Sequence, residues 1–378
     1  MEGIRFMALG GAQSVGSSSY FLQLGNSNIL LDCGTTRKTD IVSGPNLQLL
    51  LINRMLESFS QLDHVYISHA HSDHVGYLPD LLQLAPNASI YMTPMTKVLS
   101  SYRLDKNSKN TYGLSSIKKF ANEKAFDNYI PVSYMQKINQ GDYKVTFFPA
   151  GHIPGAMMTL FEYKKRRILY TGDYSKESMF GLDGYWLPDN LNVDTMIICA
   201  LHARNPWRKR KPNLMWNDAL SYMEHGFPVY FSIKEPSRIL EVLLALKKAM
   251  EEKGESYPIY LEPEIMEIMQ MIEKINPALL DENAHLFTGF IPPEPHILIG
   301  TRPISCYSGI YKTMVGQYTL HEDYDEMKSF IKKVNPRQAI MVHCAEGMSY
   351  PTIERELMED ADSKTQMIFP EVGEIYTL

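Results

Sequence analysis

Six residues constrain this chain more than any others: His69, Ala70, His71, Ser72, Asp73 and His74. They follow the apolar run Leu62, Val65, Tyr66, Ile67, which predicts a buried strand. Gly76 and Pro79 come next, ahead of an apolar stretch that reads as a helix. Packing does not call for three imidazoles and a carboxylate at one strand end. A divalent cation does, because neutral imidazole nitrogen and carboxylate oxygen are donors it accepts.

Other strand ends offer similar groups. Residues 4–9, 20–24 and 28–32 predict three short strands of one sheet, separated by Gly- and Ser-rich turns. The third runs into Leu31-Asp32-Cys33-Gly34. A carboxylate at the end of an apolar strand is costly to bury alone. Asp32 is therefore either a solvated turn residue or the group that orients a metal-binding histidine from behind. Apolar spacing predicts a helix over 46–58, a strand over 89–92 and a helix over 94–104 that starts at Pro94. Residues 105–128 are polar and mixed, fitting a surface helix or a flap over the site. Strands return at 144–148, 157–163 and 167–170, with Lys164-Lys165-Arg166-Arg167 at a hairpin tip facing water. His152 follows Pro149-Ala150-Gly151, and Asp173 follows Tyr170-Thr171-Gly172. Each alone would be a turn residue; beside 69–74 they supply the missing ligands of a two-metal site.

Beyond a strand at 194–198 the texture changes. A basic loop carries Arg204, Trp207, Arg208, Lys209, Arg210 and Lys211. It is either a solvated loop or a grip for phosphates with a stacking face for a base. Helices over 213–225, 236–252 and 263–275 alternate with strands over 228–232, 257–261 and 296–300, the rhythm of a parallel α/β sheet. Gln317 to Leu320 is strand-like and leads into His321-Glu322-Asp323, then a helix over 323–333. The apolar strand Ala339-Ile340-Met341-Val342 ends in His343, so the strand-ending-in-histidine pattern of the first half returns. The reading is α/β, with a first domain over 1–200, an insertion over 201–315 and a return over 316–378.

Bulk properties limit the partners. With 37 basic against 43 acidic residues, overall charge does not advertise nucleic acid, and such a role needs a local basic patch. No apolar run reaches membrane-spanning length, and Met1 to Arg5 does not open a secretory leader, so no membrane role is expected. Cys33, Cys199, Cys306 and Cys344 form no C-x-x-C pair and read as reduced thiols of a cytoplasmic protein. Cys33 and Cys344 lie near candidate ligands, although small buried hydrophobes are the plainer reading.

His69-Ala70-His71-Ser72-Asp73-His74 resembles the H-x-H-x-D-H signature of the metallo-β-lactamase fold. Leu30 to Gly34, His152 and Thr171-Gly172-Asp173 resemble its other core motifs, in the family's order, as does Leu9 to Gly16 near the start. The second half is similar to the β-CASP nuclease branch, which includes ribonuclease J and the pre-mRNA cleavage endonuclease. Thr319-Leu320-His321-Glu322-Asp323 resembles that branch's S-A-H-x-D, and Val342-His343-Cys344-Ala345-Glu346 its V-H-G-E. Phe227 to Arg238 echoes it too. The resemblance implies an αββα sandwich with an inserted β-CASP-like domain. It implies that His69, His71 and His152 hold one ion, that Asp73, His74 and His343 hold another, and that Asp173 bridges them. Zinc is the first expectation and manganese the alternative. His321 is then the general acid, Asp73 a proton acceptor, and Asp32 an orienting group. The implied activity is metal-dependent hydrolysis of phosphodiesters in RNA or single-stranded DNA, in a cleft between domains. A hydrolase of a small ester or phosphorylated substrate, or a non-catalytic subunit of a nucleic-acid-processing assembly, are the alternatives. The implied assembly is a homodimer or a larger processing complex. Two motifs depart from the branch. Cys199-Ala200-Leu201-His202-Ala203 stands where E-S-T-Y-G is usual, which removes the acidic partner of the acid histidine. Thr301 to Gly309 replaces an S-G-M-L-like turn.

Overall fold

The first strand, Arg5–Gly10, shows how the core is built. Phe6 and Ala8 point to one face, and Met7 and Leu9 to the other, as a pleat with a period of two requires. All four are buried, so both faces of this strand are covered. The computed structural model describes residues 3–38, 41–109, 128–176, 183–204, 214–233, 236–277, 284–315, 321–345, 347, 354–356 and 365–378. The chain divides into two compact units: Met1–Lys176 with Gly184–Arg208 and His321–Leu378, and Glu177–Asp183 with Lys209–Leu320.

The first unit holds two seven-stranded sheets. One runs in the order Ile375–Thr377, Arg5–Gly10, Ser19–Leu24, Ser27–Leu31, His64–Tyr66, Ser89–Met92, Tyr129–Pro131. The other runs Gln366–Ile368, Gln338–Val342, Thr195–Cys199, Arg166–Tyr170, Met157–Tyr163, Lys144–Pro149, Lys137–Asn139. Between them lies a cluster from both sheets, with Phe6, Tyr20, Leu22, Leu31 and Tyr66 meeting Val145, Phe147, Phe161, Ile168 and Val342. On the outer face of the first sheet, Phe21, Leu30, Val65 and Ile90 pack against Leu50, Leu78 and Leu81 from helices and Met55 from a turn. Sheet on sheet with helices outside is the αββα sandwich. Each fully buried Leu, Ile or Phe side chain stabilises it by roughly 1.5–3 kcal/mol.

The direction of the strands places the site. Ser27–Leu31 and His64–Tyr66 are parallel, so Asp32 and the segment after Tyr66 leave at the same edge. Arg166–Tyr170, Thr195–Cys199 and Gln338–Val342 are also parallel, with Tyr170 opposite Ile197 and Cys199 opposite Val342. Lys144–Pro149 runs the same way, being two antiparallel steps from Arg166–Tyr170. The second unit carries an all-parallel five-stranded sheet, ordered Ala284–Leu286, Ile259–Leu261, Ile297–Gly300, Val229–Ser232, Lys312–Val315. Helices Leu214–Glu224, Pro236–Lys253 and Pro263–Glu273 belong to it.

The expected helix over 46–58 is cut to Leu49–Ile52. Arg54 turns into the left-handed region at φ 53°, and the amides of Met55 and Leu56 bond back to the Leu50 carbonyl, which closes the turn. The helix from Pro94 runs on to Lys109. The segment read as a surface helix or flap lies outside the described residues over 110–127, as do the strand-like 317–320 and the basic loop over 205–211. Among the described residues, no helix is long and apolar enough to cross a membrane.

Candidate metal centre

The segment 67–74 is short and heavily pinned. Ser72–Val75 forms a four-residue helix with His71 as its N-cap. So short a helix cannot satisfy its own ends. Amides from other loops satisfy its carbonyls: Thr35 bonds Ser72, Ser18 bonds Asp73 and Cys33 bonds His74, at 2.8–2.9 Å. Gly34 passes so close that a Cβ there would meet the Asp73 carbonyl oxygen at 1.7 Å. These contacts fix where Asp73 and His74 point.

Three of the contributing strand ends need an unusual backbone. Asp32 (φ 59°), His152 (φ 59°) and His343 (φ 57°) all sit in the left-handed region. Non-glycine residues adopt it at a cost of about 1–3 kcal/mol each, and such strain gathers where side-chain aim matters. The His343 amide bonds the Gly11 carbonyl at 2.7 Å, which ties the last of them to the N-terminal glycine turn.

The result is two groups of donors. His69, His71, His152 and Asp173 bring one ligand atom each to within 4.8 Å of the others, and Asp73, His74 and His343 do the same. In the first group His69 Nε2 lies 3.1 Å and His152 Nε2 3.2 Å from His71 Nδ1. Asp173 Oδ2 is 3.7 Å from His69 Nε2 and 3.6 Å from His152 Nε2. Four ligands around a tetrahedral zinc with bonds of 2.0–2.1 Å stand about 3.3–3.4 Å apart, which is this spacing. In the second group Asp73 Oδ2 lies 3.8 Å from His343 Nε2 and 4.0 Å from His74 Nε2. Asp173 joins the groups: its Oδ2 faces His69 and His152, and its Oδ1 lies 3.4 Å from His74 Nε2. That Oδ1 is buried and finds no hydrogen-bond donor among the described residues. The donor set thus fits a pair of divalent cations.

Asp32 sits behind the ligands, fully buried. It accepts from Ser68 N (2.6 Å), Ser68 Oγ (2.7 Å), the Tyr170 hydroxyl and His74 Nδ1 (2.7 Å). These donors make a buried carboxylate tolerable. Its bond to Nδ1 turns His74 Nε2 toward Asp173, and Ser68 Oγ, 2.9 Å from His69 Nδ1, relays the same constraint to His69. Ser18 Oγ lies 3.0 Å from His343 Nδ1. Ser68, Tyr170 and Ser18 escape a search for ligand types, because they touch the ligands rather than the site; Ser68 is betrayed only by preceding His69. Asp32→Asn is expected to weaken metal affinity by about 10–100-fold. Competition against a chromogenic chelator reads this directly, and wild-type affinity would remove the orienting role.

The electrostatics demand positive charge. Burial opposes ionisation of His74, but the Asp173 and Asp73 carboxylates and the hydrogen bond to Asp32 outweigh it and hold its imidazolium well above the usual range. Burial also opposes charge on Asp173, yet His74, His343 and His321 pull its carboxyl well below the usual range. Burial and then His74 push His69 well down. A divalent cation satisfies the carboxylates without loading a proton onto a buried ring.

His321 stands beside this group. Its Nδ1 is 3.5 Å from Asp173 Oδ2, its side chain is 21% exposed, and its ring lies 4.8 Å from that of His152. Asp323, two residues on, caps helix Tyr324–Val334 in a capping box with Glu326, which fixes the approach of His321. Neither Cys33 nor Cys344 joins a donor group among the described residues. Cys33 packs in the helix-side core, and Cys344 Sγ lies 3.7 Å from the Met341 carbonyl. Cys199 does join one, with Asp173 and His343. Of the basic loop only Arg204 is described; it donates to the Gly347 carbonyl at 3.5 Å. Glu346 lies outside the described residues.

Ligand-type side chains at successive strand ends of a two-sheet sandwich define an αββα protein built to take divalent metal. The chain belongs to the metallo-beta-lactamase superfamily, which it matches over residues 13–213. It is 28% identical over 274 residues to "Integrator complex subunit 11" of Danio rerio, covering 69% of this chain and 44% of that protein. It is 28% identical over 265 residues to "Endoribonuclease YSH1" of Saccharomyces cerevisiae, covering 65% and 31%. It is 26% identical over 268 residues to "RNase aCSPSF2" of Saccharolobus solfataricus, covering 69% and 52%. The chain thus matches about half of such relatives' length or less. Two of these names say ribonuclease, which bears out the likeness to the nuclease branch read from the motifs. In fold the chain is similar to a crystal structure titled a protein of unknown function from Enterococcus faecalis V583, with a TM-score of 0.68 at 14% identity over 100% of both chains.

Proposed function

We propose that this protein is a metal-dependent nuclease that hydrolyses phosphodiester bonds of RNA or single-stranded DNA. One observation carries the reading: Asp173 turns one carboxylate oxygen to His69 and His152 and the other to His74, so two donor groups share one bridging side chain. His69, His71 and His152 would hold one cation, Asp73, His74 and His343 the other, with Asp173 common to both. When bound, such a pair supplies an activated water and neutralises charge on the reacting phosphate. The residues do the rest. Asp32 and Ser68 hold the rings of His74 and His69 in one tautomer and orientation. Asp73, partly open to solvent at 26%, would accept a proton from the attacking water. His321, whose Nδ1 lies 3.5 Å from Asp173 Oδ2, would hand a proton to the leaving oxygen. The ribonuclease names of two relatives support RNA as the first substrate to try, and the one relative named as a complex subunit supports a processing assembly as partner. An intracellular location fits this reading.

The test is cleavage of end-labelled single-stranded RNA and DNA, with chelation and then return of zinc or manganese. Strand scission that stops on chelation and returns with metal is expected. Scission that persists in chelator overturns metal dependence. Turnover of small phosphate esters with both polymers left intact overturns the substrate class.

A further inference from the structure

The strand Thr195–Cys199 ends beside the centre without a histidine or carboxylate, and what it delivers is sulfur. Cys199 is buried, and its Sγ, a ring nitrogen of His343 and a carboxylate oxygen of Asp173 lie within 4.8 Å of one another. Position is held from several sides. The Cys199 amide bonds Thr171 Oγ1 at 3.0 Å, Cys199 pairs with Val342 in the parallel register, and the Ala200 amide bonds the Val342 carbonyl at 2.8 Å. The thiol therefore sits where neighbouring strands deliver Asp173 and His343. A second observation points to a ligand here: Asp173 Oδ1, 1% exposed, has no hydrogen-bond donor among the described residues.

We infer that Cys199 is a thiolate ligand, or an exchangeable one, of a cation that it shares with Asp173 and His343. The inference rests on the metal centre proposed above, not on the substrate. Metal–sulfur bonds of about 2.3 Å and metal–nitrogen or metal–oxygen bonds of about 2.0–2.2 Å fit among atoms at this spacing. The thiol proton leaves to solvent as the bond to the cation forms. Thiolate is a soft donor in a set otherwise made of imidazole and carboxylate, so it biases this position toward zinc or cobalt and away from manganese and magnesium. A metal preference set by one side chain follows.

The experiment loads metal-free protein, kept reduced, with cobalt(II). Cobalt content by elemental analysis tests the centre, and near-ultraviolet charge transfer from sulfur to cobalt tests the ligand, since imidazole and carboxylate do not produce that band. The band is expected in the wild type and in Cys306→Ser, whose thiol is exposed, and is expected to vanish in Cys199→Ser while visible ligand-field bands remain. Cys199→Asp, a second small replacement, is expected to lose the band and to shift zinc-over-manganese preference by about tenfold. Bound cobalt without the band in the wild type, or a band that survives both Cys199 replacements, overturns the sulfur ligand alone. Protein that takes up no cobalt overturns the centre and the ligand together.

Discussion

Asp173→Ala is expected to empty both cation positions and to bring strand cleavage down to the uncatalysed background. The carboxylate is 1% exposed and, among the described residues, is the one side chain that faces His69, His152, His74 and His321 at 3.4–3.7 Å. Removing it takes away the carboxylate that both donor groups share and one of the negative charges that hold His74 positive. Cations that polarise a phosphate contribute several kcal/mol of transition-state stabilisation. At about 1.4 kcal/mol per tenfold, a rate loss of about a thousandfold or more follows. His74→Ala should lose less metal, because the His69, His71, His152 and Asp173 group stays whole, yet it should lose cleavage nearly as completely. Elemental analysis beside a cleavage assay separates the two. Full metal content in Asp173→Ala would end its bridging role, and unchanged cleavage in both variants would end the two-cation reading.

The centre was more legible in the sequence than the frame around it, for a physical reason. Donor-type side chains cluster and follow apolar strands, so His69, His71, Asp73, His74, His152, Asp173 and His343, which gather into the two candidate groups, announce themselves one strand end at a time. The interior strands carry the same clarity, because burial on both faces writes a continuous apolar run, as in Thr195–Cys199 and Gln338–Val342. The sheet edges do not. Ile375–Thr377, Tyr129–Pro131, Gln366–Ile368, Lys137–Asn139, Ala284–Leu286 and Lys312–Val315 border the three large sheets, and none was expected. Strands of three or four residues bury too little to show a period, and half of their backbone groups face away from the sheet. The helix over 46–58 failed differently. Its apolar spacing is real and its side chains do pack in the helix-side core, but Leu47, Leu50, Met55 and Leu56 reach that core through a tight turn. Cys199 was read as a reduced thiol and as a lost carboxylate, not as a donor. Its residue type, at a strand end between two ligand-bearing strands, was the signal that it offers a donor of its own.

His321→Ala should lose rate and keep its metal. Among the described residues His321 joins neither donor group, and its Nδ1 lies 3.5 Å from Asp173 Oδ2. A positioned general acid contributes about 10²–10⁴-fold, or roughly 2.7–5.4 kcal/mol at the transition state. The loss should fall on kcat, since proton donation is needed only as the bond to the leaving oxygen breaks. Leaving-group chemistry gives the sharper test. A ribose or deoxyribose oxygen departs poorly as an alkoxide and needs the proton, whereas an aryl oxide departs without one. His321→Ala should therefore be crippled on RNA or DNA and nearly normal on an aryl phosphodiester, while Asp173→Ala fails on both. Equal losses on the two substrates would take the proton from His321 and leave it a binding or packing role, held in place by its ring contact with His152 and the capping box at Asp323.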